Sequence, residues 1–264
     1  MTNPVSPYTS GYAPVRGLRL YYEMYGAREG VPLVLFHGGG STIDSTFGRL
    51  LPLIAGRRVL AIEERGHGRS SDLDQPFTFD SSADDAAALL GHLHMEQADL
   101  FGFSNGASVA LQVAIRHPGL VRKLIFASSI TKRSGAPEQL WRFLDGADFS
   151  HMPQALKDAF LAVNPDEARL RSMHDKDAAR MRAFADVPGE ALQAIRARTL
   201  ILAGDRDVTL PEHAIEIARL IPGARLLLLP AGHGDYMGEA SAQPAIRGYP
   251  ALTARLIEGF LDGE

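Results

Sequence analysis

The sequence predicts an α/β fold, in which helices cover both faces of a mostly parallel sheet. Short apolar runs of strand length alternate with helical patterns along most of the chain. Fully apolar strands are typical of parallel sheets that are buried on both faces. Several of these runs end in glycine-rich turns, and reacting groups of such sheets gather at the carboxyl ends of the strands.

Seven segments contain the pattern of a strand. Residues 18–26 alternate apolar and polar side chains and predict an edge strand. The other six are short apolar runs bounded by turns, which is the pattern of a buried strand. They lie in residues 31–41, 57–71, 98–119, 122–129, 197–208 and 224–235.

Three helices are predicted between and after these strands. The segment 79–95 is rich in alanine, leucine and early acidic residues, and Ser82 or Asp80 could cap it. The segment 210–223 has proline near its start and glycine at its end, as helices often do. The segment 249–263 has the spacing of an amphipathic helix.

One region interrupts the alternation of strands and helices. Residues 130–195 hold helical pieces and no convincing buried strand. We therefore predict a core domain formed by residues 1–129 and 196–264, and a helical cap inserted as residues 130–195. Residues 1 to about 16 are polar and predict a loose arm.

Composition and charge exclude several classes of function. The chain has 264 residues, a formal net charge of -4 and no cysteine. The charge does not suggest a nucleic-acid surface, and the lack of cysteine excludes thiolate metal sites and a cysteine nucleophile. The polar N-terminus does not resemble a signal peptide, and no apolar run approaches the roughly 20 residues that span a bilayer. We expect a cytoplasmic protein, a monomer or homodimer, without a membrane span, metal or cofactor.

One serine lies on a glycine-flanked turn between a predicted strand and a predicted helix. The segment Gly102-Phe103-Ser104-Asn105-Gly106 fits the pattern G-x-S-x-G. A turn that exposes a hydroxyl this way strains the serine backbone and leaves no room for side chains two residues away. We interpret Ser104 as a candidate nucleophile. The alternative is a plain turn with an incidental serine.

A second glycine turn follows the strand in residues 31–41, where the sequence is His37-Gly38-Gly39-Gly40. Acyl transfer needs N–H groups directed at a developing oxyanion, and glycine loops supply them. The backbone N–H groups of Gly39 and Asn105 are the candidate donors, with Gly40 as the alternative to Gly39. The lysine and the serine or threonine of a phosphate-binding P-loop are missing, and we expect His37 to support the loop.

Acids and a histidine follow the last two predicted strands. Asp205 and Asp207 both come after the strand of residues 197–208, and Asp207 lies further into the loop. His233 follows the last strand between two glycines and is the candidate base, because a serine hydroxyl needs an adjacent base. Other histidines are interpreted as structural or as surface and helix-end residues. No metal-ligand spacing is present.

These residues occur in the order serine, acid, histidine, and on them the chain resembles the α/β-hydrolase superfamily over nearly its whole length. The resemblance lies in FHGGGS, ERGHGRSS, GFSNGA, GDRD and GHG. It implies an α/β-hydrolase fold with an eight-stranded sheet, a catalytic triad of Ser104, Asp207 and His233, and a cap over the site. Glu63 is a departure, since relatives usually carry aspartate there. We expect it to affect packing or hydrogen bonding.

The resemblance also narrows the reaction. Dehalogenase and epoxide hydrolase relatives use an aspartate at the position of Ser104, and dienelactone hydrolases use cysteine. Proline iminopeptidase-like relatives carry proline where this chain has Gly40. What remains is serine-based acyl transfer.

We expect a carboxylic ester hydrolase that acts on a small-molecule acyl substrate. The alternatives are a lactone or C–C bond hydrolase with the same triad, and a ligand receptor on the same scaffold. Gly38, Gly40 and Trp141 are candidate substrate-binding residues, Trp141 because it lies early in the predicted cap.

Overall fold

The computed structural model describes residues 5–242 and 248–263. In these residues eight strands form a sheet in the order β1-β2-β4-β3-β5-β6-β7-β8. The strands are β1 Thr9–Val15, β2 Leu18–Gly26, β3 Leu33–Phe36, β4 Arg58–Ile62, β5 Ala98–Phe103, β6 Val121–Ala127, β7 Arg198–Arg206 and β8 Arg225–Gly232.

Most neighbouring strands run parallel. β2 is antiparallel to both β1 and β4, and the pairs from β4 through β3, β5, β6 and β7 to β8 are parallel. The predicted α/β class with a mostly parallel eight-stranded sheet is confirmed. The carboxyl ends of β3, β5, β7 and β8 therefore lie at one edge of the sheet.

The expectation of a loose arm over residues 1–16 is wrong for β1. Its residues pair with β2 from Thr9↔Met24 to Val15↔Leu18. Its sequence contains glycine and proline and lacks a strand pattern, but an edge position tolerates proline. β1 forms a strand because the adjacent antiparallel β2 offers hydrogen-bond partners to its backbone, which the sequence of β1 alone does not indicate.

Ten α-helices accompany the sheet in the described residues. The long helix after β4 is capped by the Thr78 hydroxyl, which accepts from the Ser81 N–H at 3.0 Å, and not by Ser82 or Asp80 as expected. The helices are α1 Ile43–Phe47, α2 Leu51–Ile54, α3 Phe79–His92, α4 Asn105–Arg116, α5 Glu138–Gly146, α6 Gln154–Val163, α7 Glu167–Arg182, α8 Gly189–Gln193, α9 Pro211–Leu220 and α10 Tyr249–Asp262.

The core has two layers, one on each face of the sheet. Alternate residues of β5 enter different layers: Leu100 packs with the layer of α3, α4 and α9, and Phe101 with the layer of α1, α2 and α10. This burial on both faces explains why the central strands are mostly apolar. It also holds the strand ends in fixed positions, which a precise site requires.

The chain between β6 and β7 forms α5, α6, α7 and α8, with short 3-10 helices at Arg133–Gly135 and Phe149–His151. All of residues 128–197 are described, and none of them lies in a strand. Five buried residues of this segment, among them Phe160 and Met173, form a small apolar cluster with Phe77, which precedes α3. Within the described parts of the chain, no helix is both long and apolar enough to cross a bilayer.

Candidate active site

Ser104 lies on a sharp turn between β5 and α4. Its backbone has φ 54° and ψ -123°, a combination that residues other than glycine rarely adopt. A Cβ at Gly102 would lie 2.2 Å from the Gly106 carbonyl oxygen, and one at Gly106 would lie 2.2 Å from the Phe36 carbonyl oxygen. Close backbone approach therefore demands glycine on both sides of the serine.

His233 connects Ser104 to an acid. Its Nε2 lies 3.2 Å from Ser104 Oγ, and its Nδ1 lies 2.6 Å from Asp207 Oδ1. An ionised carboxylate can only accept, so Nδ1 carries the proton and Nε2 is left to accept from the serine hydroxyl. The Phe103 ring packs against the imidazole with centroids 4.7 Å apart. The arrangement can remove a proton from Ser104.

The carboxylate of Asp207 is fully buried and accepts from four donors. Oδ1 accepts from His233 and from the Val208 N–H at 2.7 Å, and Oδ2 accepts from the Gly204 N–H at 3.2 Å and from the Ser128 hydroxyl. Because Ser128 donates to the acid, the Tyr236 hydroxyl donates to Ser128 Oγ, 2.5 Å away. This chain of hydroxyls fixes the acid and was not expected from the sequence.

Asp205 plays a different part. Its Oδ1 accepts from the Ala231 N–H on β8 at 3.0 Å, which ties together the ends of two neighbouring strands. Of the two acids that the sequence offered, only Asp207 contacts His233.

Asp207 and His233 each shift the pKa of the other. Burial alone would raise the pKa of Asp207, but His233, the Ser128 hydroxyl and the Gly204 N–H hold that pKa below 3.8. Burial lowers the pKa of His233, and Asp207, with smaller effects of Glu239 and Asp235, outweighs it and raises this pKa above 6.5. Asp207 is thus ionised throughout the physiological pH range.

The glycine loop after β3 presents three N–H groups with different partners. The Gly38 N–H donates to Thr46 Oγ1 at 3.2 Å, and the Gly40 N–H donates to Asp177 Oδ2 at 2.7 Å. In the described residues the N–H groups of Gly39 and Asn105 have no hydrogen-bond partner. The structure therefore leaves Gly39, rather than Gly40, free to serve beside Asn105.

His37 supports this loop. Its Nδ1 donates to the Gly38 carbonyl at 2.8 Å, and its Nε2 accepts from the Glu64 N–H at 3.0 Å. Because Nε2 accepts this hydrogen bond, the ring is neutral. Burial, with a further contribution from His67, lowers the pKa of His37 to about 4 and so favours this neutral form.

A cavity of about 280 Å³ lies over Ser104 and His233. Its floor comes from the sheet edge, and its roof comes from α5, α6, α7 and the segment between α5 and α6, which supply mostly apolar side chains. Gly39, Gly40, Asn105 and Val208 complete the floor; the roof contains Leu140, Phe143, Leu144, Ala147, Asp148, His151, Met152, Pro153, Leu156, His174, Asp177, Ala178 and Met181.

Two expected substrate-binding residues do not line this cavity. Trp141 points away from it: the indole N–H donates to the Arg133 carbonyl at 2.8 Å, and the ring packs near Phe184. Trp141 is 8% exposed and belongs to a separate cluster, so its role is packing. Gly38 does not line the cavity, and its N–H donates to Thr46. Gly40 does line the cavity.

Some expectations about other polar residues hold and others change. His151 is exposed, as interpreted, and it also lines the cavity together with the partly buried His174. His213, placed in the same group, is buried, and its Nε2 accepts from the Thr131 N–H at 3.0 Å. Glu63 is buried and does not line the cavity. Each of its carboxylate oxygens accepts from Arg69 at 2.6 Å.

Within residues 5–242 and 248–263 no cluster of three or more histidine, aspartate or glutamate side chains could hold a metal ion. The serine hydroxyl, the imidazole, the buried carboxylate and the two N–H groups are the groups brought together below the cavity. A serine on a sharp turn between a strand and a helix of a mostly parallel sheet is typical of α/β proteins with a nucleophile elbow.

A family model described as the alpha/beta hydrolase fold matches residues 31–174, more than half of the chain. The chain belongs to the α/β-hydrolase fold family. This confirms the resemblance that the sequence motifs indicated.

The chain is similar to several known members. It is 31% identical over 267 residues to 2-hydroxymuconate semialdehyde hydrolase of Pseudomonas sp. strain CF600, covering 86% of this chain and 93% of that protein. It is 29% identical over 235 residues to the dihydrolipoyllysine-residue acetyltransferase component of the acetoin cleaving system of Pseudomonas putida. That match covers 86% of this chain but only 60% of the length of that relative. Among solved structures, Est816, an N-acyl homoserine lactone degrading enzyme, has a TM-score of 0.70 at 25% identity, covering 96% of this chain and 100% of that one.

Proposed function

We propose that this protein hydrolyses carboxylic esters through an acyl-enzyme formed on Ser104. The observation that carries the proposal is the hydrogen-bonded line from Ser104 through His233 to the buried Asp207, beneath an apolar cavity. A serine nucleophile needs a base within hydrogen-bonding distance and an acid that orients the base, and these three residues have that geometry.

The proposed steps use the groups that the structure brings together. His233 Nε2 takes the Ser104 proton while Oγ attacks the acyl carbon, and the Gly39 and Asn105 N–H groups stabilise the oxyanion. His233 then gives that proton to the leaving alcohol. In the second half His233 takes a proton from water, the resulting nucleophile attacks the acyl-enzyme, and the free acid leaves as Ser104 is reprotonated. Asp207 stabilises the imidazolium in both halves.

Residues 130–195 act as the cap in this proposal. The side chains of Leu140, Phe143, Met152 and Leu156 offer the acyl group an apolar surface, and methionine adapts to different shapes.

We also keep as predictions a cytoplasmic location, a monomeric or homodimeric state, and no nucleic-acid partner.

A second candidate is hydrolysis of a lactone or of a C–C bond. The likeness to Est816, an N-acyl homoserine lactone degrading enzyme, and to the Pseudomonas semialdehyde hydrolase favours it, and the same serine, histidine and oxyanion donors would serve. A ligand receptor is the third candidate, because a receptor can retain these residues.

A substrate panel separates the three. The wild-type protein is expected to turn over p-nitrophenyl acetate and butyrate, and to take a fluorophosphonate label on Ser104. Faster turnover of lactones, or of substrates cleaved at a C–C bond, would favour the second candidate. Slow single turnover with retained product would favour the receptor, and no turnover or labelling of any kind would end the acyl-transfer proposal.

The pH profile gives an independent check on the base. His233 accepts the serine proton only when neutral, and Asp207 outweighs the effect of burial to raise the pKa of His233 above 6.5. With a neutral ester, kcat/KM should fall as pH decreases, with a midpoint above 6.5. Asp207 stays ionised over this range because its pKa is below 3.8. A profile that stays flat from about pH 8 to pH 5 would argue against His233 as the base.

A further inference from the structure

A carboxylate from the inserted helices lies on the glycine loop of the site. Asp177 of α7 accepts from the Gly40 N–H at 2.7 Å and lies 3.0 Å from His67 Nε2, both through Oδ2. A Cβ added to Gly39 would lie 3.0 Å from the same oxygen. The carboxylate therefore lies beside the Gly39–Gly40 peptide, 137 residues away along the chain.

Asp177 is one member of a buried group of charges. Its Oδ1 accepts from the Arg180 guanidinium, and another arm of that guanidinium donates to Glu64 Oε2 at 3.0 Å. All three side chains are at most 9% exposed. Buried charges of this kind are tolerated only when they are paired, and losing one partner is strongly destabilising.

His67 supplies the second positive charge of this buried group. Its Nδ1 lies 3.0 Å from the Arg65 carbonyl oxygen and its Nε2 lies 3.0 Å from the Asp177 carboxylate. Both neighbours can only accept, so the ring carries a proton on each nitrogen and is an imidazolium. Burial lowers the pKa of His67, but Asp177 and Glu64 outweigh it and raise that pKa above 6.5. The group then has two positive and two negative charges.

This neutrality matters for the oxyanion. A lone carboxylate beside Gly39 would oppose a negative charge that develops on the substrate. Arg180 and His67 offset the charge of Asp177, so its oxygen can fix the loop without that penalty. The group also reaches the loop from the other side, because the Glu64 N–H donates to His37, which in turn holds Gly38.

We propose that Asp177 is a positioning residue, which holds the Gly39–Gly40 peptide so that the Gly39 N–H stays directed at the oxyanion. The inserted helices thereby complete the oxyanion hole as well as roofing the cavity. Three successive glycines have wide conformational freedom, and a charge-assisted hydrogen bond to Gly40 removes much of it. The inference rests on the proposed acyl transfer.

The test compares Asp177→Asn with Glu167→Gln, which removes the same charge from an exposed position of the same helix. An amide has one accepting oxygen, so whichever way it turns, its NH₂ faces another donor. With p-nitrophenyl butyrate, Asp177→Asn should lower kcat about 10- to 100-fold, below the 10²–10³-fold loss of a whole oxyanion donor. KM should change less than about threefold, and Glu167→Gln should behave like wild type.

A second readout separates positioning from general damage. The affinity for a boronic acid that mimics the tetrahedral intermediate should fall by the same factor as kcat/KM, while the affinity for the butyrate product stays unchanged. Thermal unfolding is measured alongside. An Asp177→Asn protein that folds and keeps the wild-type kcat, or loses it only through KM, overturns the inference and leaves the proposed function standing.

A measurement on the wild-type protein covers the case in which the variant does not fold. The Gly40 amide, bonded to a carboxylate, should be strongly protected from hydrogen exchange and should remain so in the phosphonate adduct. A Gly40 amide that exchanges like an open loop overturns the inference. A wild-type protein without any acyl turnover or labelling overturns the proposed function, and this inference with it.

Discussion

Replacing Ser104 by alanine is expected to lower ester turnover by about 10⁴- to 10⁶-fold. The substitution removes the nucleophile while His233, Asp207 and the oxyanion donors stay in place. Residual catalysis would come from binding and from the N–H groups alone. Initial rates with p-nitrophenyl butyrate measure the loss, and a fluorophosphonate probe, which needs the hydroxyl, should no longer label the protein.

Ser108→Ala provides the matched control. Ser108 lies one turn further along α4, and its hydroxyl is 2.9 Å from that of Ser129, with no contact to His233. We expect the control to keep turnover within about threefold, since it loses a hydrogen bond remote from the reacting atoms. If Ser104→Ala kept wild-type turnover or labelling, the proposed nucleophile would be wrong.

Replacing Asp207 by asparagine should lower kcat by about 10⁴-fold. The carboxylate accepts from four donors, whereas asparagine has one accepting oxygen. If that oxygen faces Ser128 and Gly204, the amide NH₂ faces His233 Nδ1 and favours the tautomer with the proton on Nε2. The histidine then cannot take the serine proton. KM should change far less than kcat.

Asp205→Asn makes the same chemical change two residues away. Asp205 accepts only from the Ala231 N–H in the described structure, and an amide oxygen can replace that acceptor. Its kcat should stay within a few-fold of wild type. Equal losses for the two variants would mean that the loop, and not the acid beside His233, is what matters.

Much of this arrangement follows from local sequence rules. The strand that carries Ser104 is buried along its whole length and mostly apolar, whereas the strand before His233 is partly exposed. The glycines around Ser104 follow from close backbone contacts. Chemistry placed directly after such strands must converge at one edge of a parallel sheet. Asp207 was preferred to Asp205 because it lies further into its loop and because of the resemblance, and the neighbouring positions of β7 and β8 explain how that loop reaches His233.

Residues that act across the molecule carried no such signal. Trp141 was an attractive candidate because of its place in the insertion, but a short helix buries one face and exposes another, and only packing decides which. Its neighbour Phe143 is 50% exposed and lines the cavity instead. Asp177 is one acid among many on a polar helix, and no periodicity distinguishes it.

Ser128 and Tyr236 were missed for a related reason. Ser128 directly follows β6, so its position at the sheet edge was a usable signal. Its contact with Asp207, 79 residues later, depends on the side-by-side placement of β6 and β7. Tyr236 is fully buried, and nothing in its sequence surroundings indicates a hydroxyl partner.

The wide separation of the reacting groups has a consequence for how the chain folds. Ser104 and His233 are 129 residues apart in sequence, and β6 and β7 lie between their strands, β5 and β8, in the sheet. Closing such long loops is slow compared with forming helices. During refolding, helical signal should therefore return well before the serine becomes reactive. Labelling by the phosphonate then measures the fraction of molecules in which β8, the last parallel strand, has paired with β7.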